Sequence, residues 1–314
     1  MSIELAACSE LTNLKSTVAQ LDMSLASEHT KTASVGIDLS LLGANCTGEY
    51  AVSSPLDQVD YRKLITAMRT AHDGGIDFVS LNSTFATHSL GKTRDSSLDG
   101  VHAAAKIAEF ATGGICVETC ATPEAINIAT DLLAKQTAGW AGITIPLHEN
   151  SDFAALAAAA ADARAAGIPV TVVITNPKVS PERAKLVVSI ADSIRLRVSN
   201  PHEARGARFA LRAAAKEANR DLPVMAEIGI VISATVPAAE ERALLIEEIN
   251  GCEIFPGLPK VIGTVYDVAD TVESWVGLGA SDGVVLVPGS LPTDLASVLR
   301  GVLPLLKARS IVSE

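Results

Sequence analysis

The feature of this sequence that most limits its fold is a repeated alternation between short, continuous apolar runs and longer amphipathic segments. The closing unit shows it best: Val268, Val272 and Trp275 recur at helical spacing, a glycine-rich break follows, and the apolar run Gly283–Pro288 precedes a second amphipathic segment. A strand that is apolar on both faces needs helices on both sides, as in a parallel α/β sheet. We therefore predict earlier units of the same kind.

Such units recur along the chain. Strand-like runs begin near residues 34, 76, 115, 141, 168, 193, 223 and 283, and helical patterns separate them, with an irregular Pro/Gly segment at 252–259 before the last. Eight β-α units favour a closed (β/α)8 barrel over an open doubly wound sheet. A dinucleotide-binding sheet would need G-x-G-x-x-G directly after an early strand, and no such run follows residues 34–43 or 76–83.

The length of 314 residues suits one such barrel. We predict that residues 34–314 form a single α/β barrel domain, and that residues 1–33 are an N-terminal extension outside it.

Charge and hydropathy limit the partners. The net charge of −11 without any Lys/Arg cluster argues against nucleic acid as a partner. No apolar run approaches the ~20 residues of a membrane span, and no signal segment begins the chain, so we expect no membrane partner and a cytoplasmic protein.

The five cysteines are an odd number. Cys116 and Cys120 lie four positions apart on a predicted strand, about 13 Å at the rise of a strand, which is too far for a disulfide. We expect both to be buried thiols.

In a (β/α)8 barrel the functional site lies at the C-terminal ends of the strands. That rule brings together side chains that are mostly hydroxyls and amides, and they include Asn45, Glu49, Asn82, Ser83, Thr119, Thr144, Thr175, Asn176, Ser199, Ser233 and Ser290. His88 and His148 each follow a strand end and are the candidates for a catalytic general base. The six histidines form no H-x-H or H-x-x-x-H pair, so no metal site is predicted.

Charged residues inside the strands carry a second signal. Alternation in the sixth strand points Arg195 and Arg197 into the barrel, and the same alternation gives Asp38, Glu118 and Glu227 inward positions. Two interpretations stay open. The five side chains form an internal ion-pair network, or Arg197, nearest the strand end, holds an anionic group of a ligand.

Three stretches carry a family resemblance. Residues 75–85 read GIDFVSLNSTF, residues 138–140 read AGW, and residues 282–295 read DGVVLVPGSLPTDL. With the segments between them they resemble the bacterial luciferase-like monooxygenase family, in the branch that contains nitrilotriacetate and dibenzothiophene-sulfone monooxygenases. The resemblance runs from about Ser34 to the C-terminus.

The resemblance implies a flavin-dependent oxidoreductase, a monooxygenase that uses reduced FMN and oxygen on a small organic substrate. Some branches use a deazaflavin instead. It further implies that a separate flavin reductase supplies the FMN and that two copies of the chain form a homodimer.

The resemblance also assigns roles to residues. Asn82 and Ser83 stand where the branch has an acidic-polar pair beside the flavin, and Thr119 and Thr144 stand at strand ends that line its ring. The turn from Thr175 through Asn176 to Ser180 takes the place of the flavin-phosphate loop, where a helix start offers backbone N–H groups to an anion. An ordinary capped helix start is the alternative interpretation of that turn.

The sequence departs from the family in three places. The long insertion after the fourth strand is missing, the phosphate turn reads TNPKVSPE, and the Trp-Arg pair after the first strand is absent. Two other functions therefore stay open: a shortened, non-catalytic flavin-binding or structural member, and a flavin-independent barrel enzyme acting on a phosphorylated metabolite.

Overall fold

The computed structural model describes residues 32–44, 58–89, 97–135, 139–147 and 151–312. These residues form a parallel barrel whose strands are β1 Ser34–Asp38, β2 Phe78–Leu81, β3 Gly114–Glu118, β4 Trp140–Pro146, β5 Val170–Ile174, β6 Ser193–Leu196, β7 Val224–Ile232, β8 Lys260–Gly263 and β9 Gly283–Pro288. The strands β1 to β7 pair in sequence, and β9 pairs with both β7 and β1, so eight strands close a ring. The prediction of a single-domain (β/α)8 barrel is confirmed. The predicted extension falls almost entirely on residues outside these ranges.

Helices connect the strands and cover the outside of the ring. They are α1 Tyr61–Asp73, α2 Asp99–Ile107, α3 Pro123–Leu133, α4 Phe153–Ala165, α5 Pro181–Ile190, α6 Pro201–Glu217, α7 Val236–Asn250, α8 Val265–Gly277, α9 Thr293–Ser297 and, after a π-helical turn at Val298–Val302, α10 Leu303–Ala308. Local sequence explains where several begin. Thr122 caps α3 by accepting the N–H of Ala125, and Pro123 fills the first turn. No helix in the described ranges is long and apolar enough to cross a bilayer.

One strand was missed by the sequence analysis. The segment predicted to be irregular is followed by β8, which pairs with the C-terminal half of β7 at Gly229–Ile232. β7 is nine residues long, and β6 pairs only with its first three residues. Since buried backbone groups need hydrogen-bond partners, the exposed upper edge of β7 is covered by this short strand. Four residues next to Pro and Gly are too few to give a periodic signal.

The register of the ring sets which side chains meet inside it. The offsets around the eight-strand ring sum to eight residues, so side chains at one height come from alternate strands, four to a layer. From the N-terminal end upward the layers are Phe78, Gly142, Ser193 and Gly283; Gly36, Cys116, Thr171 and Met225; Ser80, Thr144, Arg195 and Val285; Asp38, Glu118, Val173 and Glu227; and Asn82, Pro146, Arg197 and Val287. The charged side chains all lie in the upper three layers.

The seam between β9 and β1 depends on a glycine. A Cβ at Gly283 would lie 2.3 Å from the backbone oxygen of Ser34 and 2.8 Å from the terminal carbon of Met225. The two strands therefore approach more closely at this point than any side chain allows.

We predict that Gly283→Ala lowers the free energy of unfolding by about 3 kcal/mol or more, because the methyl group must push two paired strands apart. Gly206→Ala is the matched control: Gly206 lies within α6, and a Cβ there meets no atom within 4 Å. It should raise stability by about 0.5–1 kcal/mol through helix propensity. Urea denaturation of both variants measures the difference, and equal effects would contradict the account of the seam.

Candidate functional site at the barrel mouth

Arg197 joins two buried carboxylates just below the mouth of the barrel. Its Nη2 atom lies 2.5 Å from Oε2 of Glu118, and its Nε atom lies 2.7 Å from Oε2 of Glu227. In addition, its Nη1 atom lies 3.5 Å from Oε1 of Glu118, so the contact with Glu118 is bidentate. The planar guanidinium is suited to this geometry.

Arg195 occupies the layer below. Its Nη1 atom donates to Oγ of Ser80 at 2.7 Å and lies 3.6 Å from Oε1 of Glu227. The guanidinium also lies over the ring of Phe78, 5.7 Å from its centre. Glu227 therefore contacts both arginines, one from the layer below and one from the layer above.

Charge alternates along the barrel axis as a result. A layer with Arg195 lies beneath a layer of three carboxylates, from Asp38, Glu118 and Glu227, and Arg197 lies above them. The predicted inward positions of all five side chains are confirmed by their contacts and burial. The two arginines balance two of the carboxylates, and the third is that of Asp38.

The pKa of Asp38 is raised to about 6, chiefly by burial. Hydrogen bonds with Ser40 oppose that rise, the negative charge of Glu227 adds to it, and Arg195 lowers the pKa slightly. Its Oδ1 atom accepts the Ser40 N–H at 2.9 Å and lies 3.4 Å from Nδ2 of Asn82. Asp38 thus links the charged interior to a residue at the mouth.

The pKa of Arg197 is raised above its ordinary value: burial, the largest influence, lowers it, but Glu227 and Glu118 outweigh that effect. All three of its side-chain nitrogens face carboxylate oxygens. This favours the interpretation of an internal ion-pair network. The role of Arg197 in holding a ligand anion stays a prediction.

Three of the predicted cofactor residues line one cavity at the mouth. Asn82, Ser83 and Thr119 surround a space of about 110 Å³, with Glu118 and Cys120 on its wall. Drug-sized ligands usually occupy about 300–1,000 Å³. Residues 45–57, 90–96 and 148–150, which follow β1, β2 and β4 in the chain, lie outside the described ranges. The predicted candidates Asn45, Glu49 and His148 fall among them.

Local hydrogen bonds hold the residues of this cavity in place. The N–H of Asn82 donates to Oγ of Ser40 at 2.6 Å, and its Oδ1 atom accepts both the N–H and the hydroxyl of Thr84. The hydroxyl of Thr119 donates to the carbonyl oxygen of Ser97 at 3.3 Å. The amide of Asn82 is therefore oriented before any ligand arrives.

Thr144 lies elsewhere than expected. β4 continues two residues beyond it to Pro146, and Thr144 is fully buried in the layer of Arg195. It is therefore below the mouth and not at the strand end. Contact between Thr144 and a flavin ring stays a prediction that this position does not favour.

His88 lines a different cavity from the mouth residues. It forms an isolated antiparallel bridge with Gln58 and borders a space of about 320 Å³ together with Tyr61, His102 and Lys106. A general base must reach the proton that it removes. The catalytic role of His88 stays a prediction, and the structure does not bring His88 into the cavity of Asn82 and Thr119.

The predicted phosphate turn is a capped helix start. Oγ of Ser180 accepts the N–H of Arg183, and Oδ1 of Asn176 accepts the N–H of Lys178. The carboxylate of Glu182 bonds its own backbone N–H and the hydroxyl of Ser180, which lowers its pKa. The N–H groups that would bind a phosphate at Thr175–Ser180 are thus partly used, and a negative charge stands beside them, so this donor set does not fit a phosphate.

The cysteine prediction is half wrong. Cys116 is buried in the barrel, where burial raises its pKa and Arg195 partly offsets that rise. Cys120 is exposed, because β3 ends at Glu118 and Cys120 follows it in the loop at the mouth. Counting Cys120 as part of the strand caused the error.

Asp294 is a structural residue that the sequence analysis missed. It is completely buried, and its carboxylate accepts the N–H groups of Ile232 and Ser290 and pairs with Arg242. This pair ties the end of β7 to the loop after β9, where the predicted rim residue Ser290 lies. A lone Asp in a short helix gave no signal of this role.

We predict that Arg197→Met lowers the free energy of unfolding by about 3–5 kcal/mol at neutral pH, because it leaves two carboxylates buried without their partner. Arg309→Met is the control, since Arg309 pairs at the surface with the largely exposed Asp270 and Glu273 and its loss should destabilise the chain far less. Chemical denaturation measures both. A loss at Arg197 no larger than at Arg309 would contradict the network.

We predict that Asp38 makes the chain less stable as pH rises from about 4 to 6. Its pKa in the folded state, about 6, exceeds the ordinary value of 3.8, so the folded chain holds a proton that the unfolded chain releases in this window. The cost reaches about 3 kcal/mol at neutral pH. Asp38→Asn should gain about that much stability relative to wild type between pH 4 and 7. If the free energies of unfolding of wild type and Asp38→Asn change with pH in the same way, the raised pKa of Asp38 is ruled out.

Comparison with known protein families and with curated protein sequences gave no match. Comparison with solved structures gave many. The EDTA monooxygenase EmoA from Chelativorans sp. BNC1 matches with a TM-score of 0.68 and 13% identity, over 90% of this chain and 95% of that chain. Riboflavin lyase RcaE, solved with modified FMN and its substrate riboflavin, matches with a TM-score of 0.66 and 13% identity, over 90% and 93%.

A reductase matches as well. The coenzyme F420-dependent tetrahydromethanopterin reductase from Methanopyrus kandleri gives a TM-score of 0.57 and 14% identity, over 87% of this chain and 99% of that chain. At such identities a match shows the fold. Over about nine tenths of its length, the chain has the same barrel fold as these solved enzymes.

Proposed function

We propose that the chain is a flavin-dependent oxidoreductase, a luciferase-like monooxygenase that uses reduced FMN and oxygen on a small organic substrate. The observation that carries this proposal is the cavity that Asn82, Ser83 and Thr119 line at the C-terminal mouth of the barrel. The structural neighbours add support, because the riboflavin lyase was solved with modified FMN and the reductase depends on coenzyme F420.

The mouth residues fit the polar edge of a flavin ring. Asn82 presents an amide whose oxygen is already fixed by Thr84, and Ser83 is an exposed hydroxyl beside it. Thr119 uses its hydroxyl proton on Ser97, so its oxygen is left to accept a hydrogen bond. These groups recognise the heteroatoms of an aromatic ring without adding a net charge.

Glu118 lines the wall of the cavity and forms an ion pair with Arg197. Because each charge of this pair faces its partner, the pair adds little net charge to the cavity. The role of these side chains is to keep Glu118 in one orientation and to exclude water from below the ring. A bound flavin would supply the redox chemistry itself, while the protein orients it.

The start of α5 fits the phosphate of FMN less well, because it is capped by Ser180 and carries the negatively charged Glu182. In this proposal the ring, and not the phosphate, provides most of the binding energy. Reduced FMN then behaves as a diffusible cosubstrate that a separate flavin reductase supplies.

We predict that the full-length chain binds reduced FMN, and that riboflavin, which lacks the phosphate, binds within about tenfold of FMN because α5 adds little. Flavin fluorescence and absorbance under anaerobic titration measure both affinities. Asn82→Ala should weaken binding of both flavins about tenfold through the loss of one hydrogen bond, whereas Ser274→Ala, on the exposed face of α8, should leave both unchanged.

Absence of binding by oxidised and reduced flavins alike would overturn the proposal and favour a flavin-independent barrel enzyme. Binding of FMN at least a hundredfold tighter than riboflavin would instead show that the chain holds the phosphate, against the assignment made for α5. Binding without any substrate-coupled oxygen consumption would favour a non-catalytic flavin-binding protein.

A further inference from the structure

Three polar atoms inside the barrel have no hydrogen-bond partner among the described residues. They are Oγ1 of Thr144, Nη2 of Arg195 and Oε1 of Glu227. Their residues are 0%, 2% and 4% exposed, so bulk water does not reach them. An unpaired buried polar atom is costly, and native structures contain few of them. The one other such atom, Oγ of Ser281, lies before the start of β9.

The register places the three residues in two adjacent layers of the barrel interior. Thr144 and Arg195 belong to one interior layer, and Glu227 belongs to the layer directly above it. Arg195 reaches across the barrel from β6 to Ser80 on β2. β4, which carries Thr144, stands between these two strands on one side of the ring.

The contact between Arg195 and Glu227 is too long to satisfy both groups directly. Nη1 of Arg195 lies 3.6 Å from Oε1 of Glu227, which is beyond hydrogen-bond distance. Nη2, on the other arm of the guanidinium, has no hydrogen-bond partner among the described residues. A water bound to both Nη2 and Oε1 would give each of these two atoms the hydrogen bond that the ion pair does not supply.

The chemistry of the three atoms selects the occupant. Nη2 of Arg195 can only donate, Oε1 of Glu227 can only accept, and the hydroxyl of Thr144 can do either. An anion would be repelled by Glu227 and a metal cation by Arg195. A neutral molecule that accepts one hydrogen bond, donates another and makes a third fits all three, and buried waters typically make about three bonds.

We propose that an ordered water molecule is bound inside the barrel by Thr144, Arg195 and Glu227. The water joins β4, β6 and β7 inside the barrel. Its bond to Glu227 holds the carboxylate whose other oxygen binds Arg197, and Arg197 in turn holds Glu118 on the wall of the mouth cavity. The water is thus the lowest member of the network beneath the candidate site. This inference does not depend on the proposed function.

Thr144→Val tests the water, because it replaces the hydroxyl by a methyl group of similar size. If water is bound, the variant deprives it of a partner, and the folding equilibrium constant falls about tenfold. If the hydroxyl has no partner, the variant removes an unpaired buried group, and the constant stays the same or rises. Either of these last two results overturns the proposal.

Thr130→Val is the matched control. Thr130 is also a buried threonine, and its hydroxyl donates to the carbonyl oxygen of Ile126 at 2.8 Å. Thr130→Val therefore measures the effect of removing a buried hydroxyl that has a hydrogen-bond partner. We expect Thr144→Val to lower the folding equilibrium constant by a similar factor.

High-resolution diffraction from wild-type crystals gives a second readout that holds even if Thr144→Val fails to fold. We expect density for one water within about 3.2 Å of all three atoms. Empty space there, or side chains of Arg195 and Glu227 in direct contact, would overturn the proposal.

Discussion

The pairing of Arg197 with Glu118 and Glu227 is the interaction on which the upper half of this barrel depends. Barrels of this kind are usually filled by layers of branched apolar side chains. Here the lower layers are filled instead by the unbranched Phe78, Cys116 and Met225, which pack together with Val285. The upper layers replace apolar volume with charge. Such a core is stable only when each charge has a partner, because removing one partner leaves another charge buried in a medium that solvates it poorly.

This arrangement explains why the mouth is polar and at the same time rigid. Glu118 and Glu227 come from β3 and β7, Arg195 from β6 and Arg197 from the residue after β6, and Arg195 also bonds Ser80 on β2, so four strands are joined across the barrel interior. Glu118 of this network also lines the cavity of Asn82 and Thr119. A ligand at the mouth therefore meets a surface whose geometry is fixed by the barrel itself, while the surrounding walls come from the loops.

Much of the fold could be predicted from the sequence because parallel strands covered on both faces give continuous apolar runs, and helices separate them at regular intervals. The inward positions of Arg195, Arg197 and Glu227 followed from the two-residue period of a strand. β8 could not be predicted, because it forms to pair with the part of β7 that extends beyond β6. The length of β7 relative to its neighbours is a property of the assembled sheet. The candidate site was harder to predict than the fold. Strand-end rules identified Asn82 and Thr119, but they placed Thr144 too high by two residues, and only the hydrogen bonds of Ser180 and Glu182 reveal that the start of α5 is already capped.

The central claim is that a flavin ring binds at the barrel mouth, beside charged side chains that are already paired with one another. The most direct measurement is a crystal structure of the chain grown with FMN. The account predicts density for the ring within hydrogen-bond distance of Asn82 and Thr119, with Arg197 still bound to Glu118 and Glu227. A ring bound elsewhere, or Arg197 turned away from both carboxylates to contact the flavin phosphate, would contradict it.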